Sequence, residues 1–335
     1  MKPKFRKALA ALLAVICALC LGRTALQLVQ YRQGDETYAQ AEELAGLPDL
    51  SDLPVVDFTG GSGSVSSSAS TDGAGEAPEE VPVWQDPYAQ ALKDMDFSAL
   101  RQQNPDVLGW ILIPGTRVSY PVVQGTDNSY YLDHTWRGGK NSVGAIFMEC
   151  RNSSDLSDFN TIIYGHRMNN RSMFGTLSQY KSRSYWQAHP YVYLTDDSGT
   201  HRYEIFAAGE VSVDSDVYRL GLRSDSSRQS FLDSCLALSA LNTGVTPHTY
   251  DKVLTLSTCT GNGHATRWVV QAVCPGQAPE TPEIPQEEPT PQPDASQPEE
   301  SVQTPDVSQE SPAEPEQPQE PEPAPSQDIR PEETA

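Results

Sequence analysis

The chain has 335 residues, a formal net charge of −22 and a hydrophobic content of 37%. So low an apolar content indicates that part of the chain lies outside any compact domain. Most of the charge is C-terminal, since residues 276–335 contain thirteen Glu, three Asp and one Arg, which leaves −7 for the rest. With no basic patch in that remainder, the sequence argues against nucleic-acid binding.

The N-terminus combines basic residues with an apolar run. Lysine and arginine are frequent in residues 1–7, and residues 8–29 are mostly apolar, with Arg23 as the one charged residue. About 20 apolar residues cross a bilayer, and Arg23 can extend to the outer interface. We predict a cytoplasmic segment at 1–7 and an uncleaved transmembrane anchor at 8–29, because basic residues stay inside. A cleaved signal peptide is the alternative.

The segment after the anchor, residues 30–80, is predicted to be extracellular. Asp35 and Gly46 have the residue types that begin and end a helix, which predicts a short helix over 35–45. Residues 60–80 are mostly Gly, Ser and Ala, a composition typical of a flexible linker. We expect this linker to hold the following domain away from the membrane surface.

Residues 81–275 are predicted to form the folded domain, and the Pro/Glu-rich residues 276–335 a disordered tail. Short runs with strand periodicity alternate with Gly, Asn and Asp, whereas few segments have helical spacing. Many short strands favour a β-barrel. The predicted strands are 107–113, 118–123, 145–148, 160–164, 191–195, 202–211, 253–259 and 267–273, with helices at 97–103 and 227–240.

The last two strands bring a thiol close to a guanidinium. Residues 253–259 alternate and end at Cys259, a short loop with Gly261 follows, and Arg267 begins the next strand. Strands joined by so short a loop pair antiparallel, which places Cys259 opposite Arg267. A neighbouring cation favours thiolate over thiol.

A reactive cysteine usually needs a histidine, and His166 follows the apolar strand 160–164. His166, Cys259 and Arg267 would then all lie at strand ends. We interpret Cys150, Cys235 and Cys274 as packing residues. The spacing of the cysteines does not indicate a zinc site, and no metal or cofactor is predicted.

Four pieces of sequence, spanning roughly residues 95–274, carry a family resemblance. They are Asn104-Pro105-Asp106-Val107-Leu108-Gly109-Trp110-Ile111, Tyr120-Pro121-Val122-Val123-Gln124, Tyr164-Gly165-His166 followed by Met173-Phe174, and Thr255-Leu256-Ser257-Thr258-Cys259 with Arg267. In these the chain resembles the sortases, cysteine transpeptidases of Gram-positive bacteria, and within them class B. The resemblance implies a mostly β fold, the eight-stranded sortase barrel, on an N-terminal membrane anchor.

The resemblance also implies a reaction. Cys259 would attack a C-terminal sorting signal after its threonine and form a thioacyl enzyme. His166 would move protons, and Arg267 would hold the substrate carbonyl or the oxyanion. The acceptor would be an amino group of a cell-wall precursor or of a pilin. Ser257, Thr258 and His264 are further candidates for contact with the substrate.

Three other functions are weighed against this one. A cell-wall cysteine peptidase also uses Cys and His, but papain-like enzymes place Cys before His and at a helix start. L,D-transpeptidases have Ser-His-Gly before the cysteine, where this chain has Leu-Ser-Thr. A non-enzymatic surface adhesin would account for the anchor and the tail, but not for His166, Cys259 and Arg267 together.

Overall fold

The computed structural model describes residues 3–50, 53, 86–261 and 265–276, and for residues 3–11 the backbone alone. The predicted Gly/Ser linker at 60–80, the candidate His264 and the tail after residue 276 lie outside the described residues.

Eight strands form a closed barrel in the order β1-β2-β3-β4-β7-β8-β6-β5. Two neighbouring pairs are parallel, β2 with β3 and β4 with β7, and the others are antiparallel. The predicted mostly β fold with eight strands is confirmed. The strands are β1 (Val107–Leu112), β2 (Ser119–Val123), β3 (Ile146–Met148), β4 (Asn160–Tyr164), β5 (Tyr191–Asp196), β6 (Gly199–Ser212), β7 (Lys252–Cys259) and β8 (Thr266–Cys274).

Helices lie around the barrel. They are α1 (Pro3–Leu44), α2 (Pro87–Leu92), α3 (Ser98–Gln103), α4 (Arg183–Ala188) and α5 (Asp225–Leu238), with 3-10 turns at Tyr130–Leu132, Leu177–Lys181 and Asp216–Tyr218. The predicted 227–240 helix is α5, and it begins at a capping box between Ser224 and Ser227.

The alternation of side chains along β7 separates two hydrophobic cores, as the sequence pattern predicts. Leu254 and Leu256 of β7 belong to the larger cluster of buried residues that fills the barrel. Val253, one residue earlier, packs instead in a second cluster with Phe231 and Leu232 of α5. Because successive strand residues face opposite sides, one strand serves both cores.

Helix α1 is one continuous helix of 42 residues. Its Leu12–Leu44 part is long and apolar enough, by length and composition, to cross a membrane. Gly46 ends α1 with φ +63°, and the Leu47 amide donates to the Glu42 carbonyl at 3.0 Å, a Schellman ending. The predicted end of this helix is confirmed. The predicted start at Asp35 is wrong, because Asp35 lies inside α1.

The second half of α1 packs against the barrel. The Tyr38 hydroxyl donates to the Gly144 carbonyl at 2.6 Å, and the Tyr38 ring meets Tyr120 edge-on at 5.1 Å. The Trp136 indole donates to the Thr37 carbonyl at 3.1 Å. Residues on both sides of the linker, Ala45 among them, are buried in the same core. Helix α1 and the barrel therefore share one core. The spacer role predicted for the linker lies outside the described residues and stays a prediction.

We expect Tyr38→Ala to lower the free energy of unfolding by about 3 kcal/mol, because it removes a buried aromatic ring and its hydrogen bond. Denaturant titration of the detergent-solubilised full chain, followed by tryptophan fluorescence, measures this change. Glu36→Ala is the control, since Glu36 is exposed on the same helix. Equal unfolding midpoints for the two variants would show that α1 adds nothing to the barrel's stability.

Candidate active site

Three side chains meet at one edge of the barrel because of how the strands pair. β4 and β7 are parallel, with Tyr164 opposite Ser257, so both strands end at the same edge. His166 and Cys259 each lie two residues further on. The antiparallel pairing of β7 with β8 places Cys259 opposite Arg267. The register predicted for Cys259 and Arg267 is thus confirmed.

A glycine lets His166 reach this position. A Cβ on Gly165 would lie 2.7 Å from a ring carbon of Phe174, closer than carbon atoms can approach. The Phe174 amide donates to the His166 carbonyl at 3.0 Å, which closes a turn over the strand end. The close approach of Phe174 therefore requires glycine directly before His166.

The three groups line one open pocket of about 210 Å³. Its walls come from β3, β4, β7, β8 and the turn at Tyr130–Leu132. The lining residues are Asn128, Leu132, Phe147, Tyr164, Gly165, His166, Ser257, Thr258, Cys259 and Arg267.

The His166 ring is oriented by a backbone carbonyl. Its Nε2 lies 2.6 Å from the Leu132 carbonyl oxygen, which only accepts, so Nε2 carries a hydrogen. Nδ1 is then the nitrogen left for the thiol of Cys259. Hydrogen bonding with Cys259 raises the pKa of His166, burial opposes that rise, and the Leu132 carbonyl supports it.

The electrostatics of the pocket favour a thiolate. Hydrogen bonding with His166 lowers the pKa of Cys259, and burial of the half-buried thiol opposes this effect. The charges of Arg267 and Arg167 lower the pKa further. Arg267 itself is held by a 2.9 Å bond from Nη1 to the Thr266 carbonyl. A thiolate next to a protonated imidazole can act as nucleophile and acid in the same site.

Behind two residues of the pocket wall, Asn128 and Tyr164, lies a buried carboxylate to which the sequence assigned no role. Glu149 is 1% exposed and accepts hydrogen bonds from Asn128 Nδ2 (2.8 Å), the Tyr164 hydroxyl (2.9 Å) and Arg151 Nε (2.7 Å). Burial alone would raise the pKa of Glu149, but these bonds outweigh it and lower the pKa to about 2. Its only sequence signal is a charged residue directly after the apolar strand β3.

The remaining candidates have different surroundings. The Ser257 hydroxyl is 2.8 Å from the Tyr218 hydroxyl. The Thr258 hydroxyl is buried, lines the pocket and has no hydrogen-bond partner in the part of the chain that the structure describes. In those same residues, no group of three or more His, Cys, Asp or Glu side chains is arranged to hold a metal ion.

Comparison with known proteins gives one consistent result. A family model described as a sortase domain matches residues 111–274. Over 163 residues the chain is 32% identical to Sortase B of Staphylococcus aureus, an alignment that covers 49% of this chain and 67% of that protein. Over 160 residues it is 34% identical to Sortase B of Listeria monocytogenes, which covers 48% and 65% of the two chains.

Solved structures agree with the sequence comparison. The structure of sortase B from B. anthracis in complex with AAEK1 has a TM-score of 0.56 at 25% identity, and covers 75% of this chain and 100% of that one. The Staphylococcus aureus sortase B–substrate complex has a TM-score of 0.51 at 31% identity, and covers 54% of this chain and 85% of that one.

We expect iodoacetamide to alkylate Cys259 before Cys150, Cys235 and Cys274. The pKa of Cys259 is lowered, whereas burial raises the pKa of the other three, that of Cys235 to about 12. A lowered pKa means that reactivity persists below the ordinary cysteine value of about 8.5 and is lost as the pH falls through the Cys259 pKa. Peptide mass spectrometry across a pH series measures each site.

His166→Asn should move the Cys259 alkylation midpoint to higher pH, because it removes the largest influence that lowers the pKa. The profile of Cys274 in the same samples is the internal control. A Cys259 midpoint at or above the ordinary value in the unmodified protein would contradict the thiolate.

Proposed function

Because the chain belongs to the sortase family, and within it to class B, we propose that it is a cysteine transpeptidase that transfers surface proteins. It would cleave a C-terminal sorting signal after threonine and join the new carboxyl end to an amine. The acceptor would be an amino group of a cell-wall precursor or of a pilin. No cofactor is needed for this chemistry, since thiol, imidazole and guanidinium supply nucleophile, acid and electrostatic support.

The observation that carries the proposal is the convergence of His166, Cys259 and Arg267 on one open pocket. A thiol alone would be an ordinary buried residue. Here the thiol has a lowered pKa, a histidine oriented by a separate acceptor, and a fixed cation across the strand end. These features support the proposed roles of nucleophile, acid and electrostatic stabiliser in acyl transfer.

In the first half of the reaction, the Cys259 thiolate attacks the threonine carbonyl carbon. A C–S bond forms, and the carbonyl electron pair moves onto oxygen. When the oxyanion collapses, the C–N bond breaks and protonated His166 gives its Nδ1 proton to the departing amine. The bond from Nε2 to the Leu132 carbonyl keeps the ring in place while Nδ1 loses and regains its proton.

In the second half, a neutral amine attacks the thioester carbon. The new C–N bond forms, the C–S bond breaks, and the sulfur leaves as thiolate. The amine proton passes to the neutral imidazole of His166, which restores the starting ion pair. The same step with water gives hydrolysis, so a cell-wall peptidase is the alternative with the same residues.

Two residues, Arg267 and Thr258, are proposed to contact the substrate. The Arg267 guanidinium would hold the oxyanion or the peptide carbonyl through paired N–H groups. Thr258 lines the same pocket and would contact the bound signal. Ser257 already shares a hydrogen bond with Tyr218, so we propose that it helps to shape the pocket.

The proposed location is the outer face of a cell membrane. Residues 8–29 would be the single span, with the N-terminus inside and the barrel outside. The long apolar α1 supports this placement. Added protease should digest the barrel on intact protoplasts if the orientation is right.

We expect the chain to transfer peptides with a fixed threonine, drawn from a library randomised on both sides, to a small amine. Cys259→Ala should abolish both cleavage and transfer while circular dichroism stays unchanged. Intact-mass spectrometry should detect the thioacyl adduct on the unmodified chain. Turnover by a folded Ala variant would place the nucleophile elsewhere, and an absence of selective thiol reactivity would favour the adhesin.

We expect Arg267→Ala to cost roughly 10² to 10³ in rate, and Arg267→Lys to recover only part of it. Lysine supplies the charge but not the paired donors of the guanidinium. The pH dependence of alkylation separates two roles. An unchanged Cys259 pKa with lost turnover supports binding of the oxyanion; a rise in pKa large enough to explain the lost rate would refute it.

A further inference from the structure

A second arginine lies at the mouth of the pocket, beyond the catalytic pair. Because β4 and β7 are parallel, successive residues advance together toward the edge of the sheet. The pocket lining on these strands ends at His166 and Cys259. Along the chain, the next residues are Arg167 on one side, and Thr260 followed by Gly261 on the other. Arg167 therefore lies just beyond His166 and Cys259 at this edge of the sheet, with its guanidinium against Gly261.

Arg167 is held in this place by Gly261. A Cβ on Gly261 would lie 2.9 Å from the guanidinium carbon of Arg167, so the guanidinium occupies the space of a side chain. Gly261 also has φ +85°, a conformation that favours glycine. The backbone of Arg167 is fixed by its bridge to Met173. The cation is thus positioned, although its side chain is exposed.

The neighbouring arginines differ from Arg167 in having partners. Arg151 is paired with Glu149, and Arg117 donates to the Asn170 carbonyl. The guanidinium of Arg167 has neither an acidic partner nor a hydrogen bond in residues 3–50, 53, 86–261 and 265–276. It is close enough to Cys259 for its charge to act on the thiol. This leaves its donors available to a ligand of opposite charge.

We propose that Arg167, seated over Gly261, is a subsite for a carboxylate carried by the incoming amine acceptor. The inference rests on the transpeptidase function proposed above and names the acceptor class: an amino acid or peptide whose reactive amine has a carboxylate nearby. Arg–carboxylate pairing is bidentate and directional, so it would orient the amine as well as attract it. The acceptor needs such binding because it competes with water for the thioester.

The chemistry of the transfer places the carboxylate outside the bond changes. The neutral amine attacks the thioester carbon, the C–N bond forms, and the C–S bond breaks with its electron pair on Cys259. The proton passes to His166. The carboxylate stays ionised on Arg167 throughout, so its effect is on binding and orientation of the amine.

The test compares matched amines that differ only in this group. Glycine and β-alanine are each compared with their carboxamides as amine acceptors. The reactions contain the full chain in detergent and a peptide selected from the threonine library. Mass spectrometry gives the ratio of transferred to hydrolysed product. For each protein, the transferred-to-hydrolysed ratio measured with the acid is divided by the one measured with its carboxamide, which gives an acid-to-amide ratio. Comparing this acid-to-amide ratio with that of Arg167→Gln cancels the different intrinsic reactivities of the amines.

We expect the acid-to-amide ratio to be about five- to tenfold higher in the unmodified protein than in Arg167→Gln. This should hold for glycine or for β-alanine, which differ in the distance between amine and carboxylate. Added salt should reduce the ratio, since the site is exposed. Arg171→Gln is the control, because it removes the same charge from an exposed residue of the same loop. The control should keep the preference of the unmodified protein.

Three results would overturn the subsite. The first is an equal acid-to-amide ratio in the unmodified protein and Arg167→Gln. The second is an equal loss of the acid preference in Arg171→Gln, which would indicate a general electrostatic effect of the loop's positive charge. The third is a loss of peptide cleavage as large as the loss of transfer in Arg167→Gln. Failure of the unmodified protein to form a thioacyl adduct would overturn the transpeptidase function itself, and the subsite with it.

Discussion

The parallel pairing of β4 with β7 is the constraint on which the site depends. Parallel strands cannot be joined by a tight turn, and here β5, β6 and α5 lie between them in sequence. His166 and Cys259 therefore meet only when the barrel has closed. The contact that aligns them, from the Gly165 amide to the Ser257 carbonyl at 3.1 Å, is the last of that ladder. The pairing of His166 with Cys259 is thus formed by the complete fold, not by a local motif.

Two acidic groups at this site, Glu149 and Cys259, differ in the number of hydrogen bonds that lower their pKa values. The Glu149 carboxylate has partners in Asn128, Tyr164 and Arg151, so the charge is stable and the wall is rigid. The lowered pKa of Cys259 depends chiefly on hydrogen bonding with His166, and burial opposes it. A charge with one principal partner is available for reaction, whereas a charge with several is a structural element.

Much of the barrel was predictable because strand alternation and turn residues act locally. The predicted bounds of β4 match the structure, and those of β1 differ by one residue. The packing of α1 was not predicted, since Asp35 resembles a cap, yet Tyr38, Ala41 and Ala45 have helical spacing and share one buried stripe. The Leu132 carbonyl could not be predicted at all, because a backbone acceptor has no residue type that marks it.

The continuity of α1 has a consequence for where the reaction takes place. A helix rises about 1.5 Å per residue, so the turns from residue 30 to Leu44 extend only about 22 Å beyond the predicted span. These turns pack on the barrel through Tyr38, which bonds to Gly144. A Cβ on Gly144 would lie 2.9 Å from the His166 ring, so the anchor helix and the histidine contact the same short segment. With residues 8–29 as the proposed span, α1 would set the position of the pocket relative to the membrane, and both substrates would reach it at that surface.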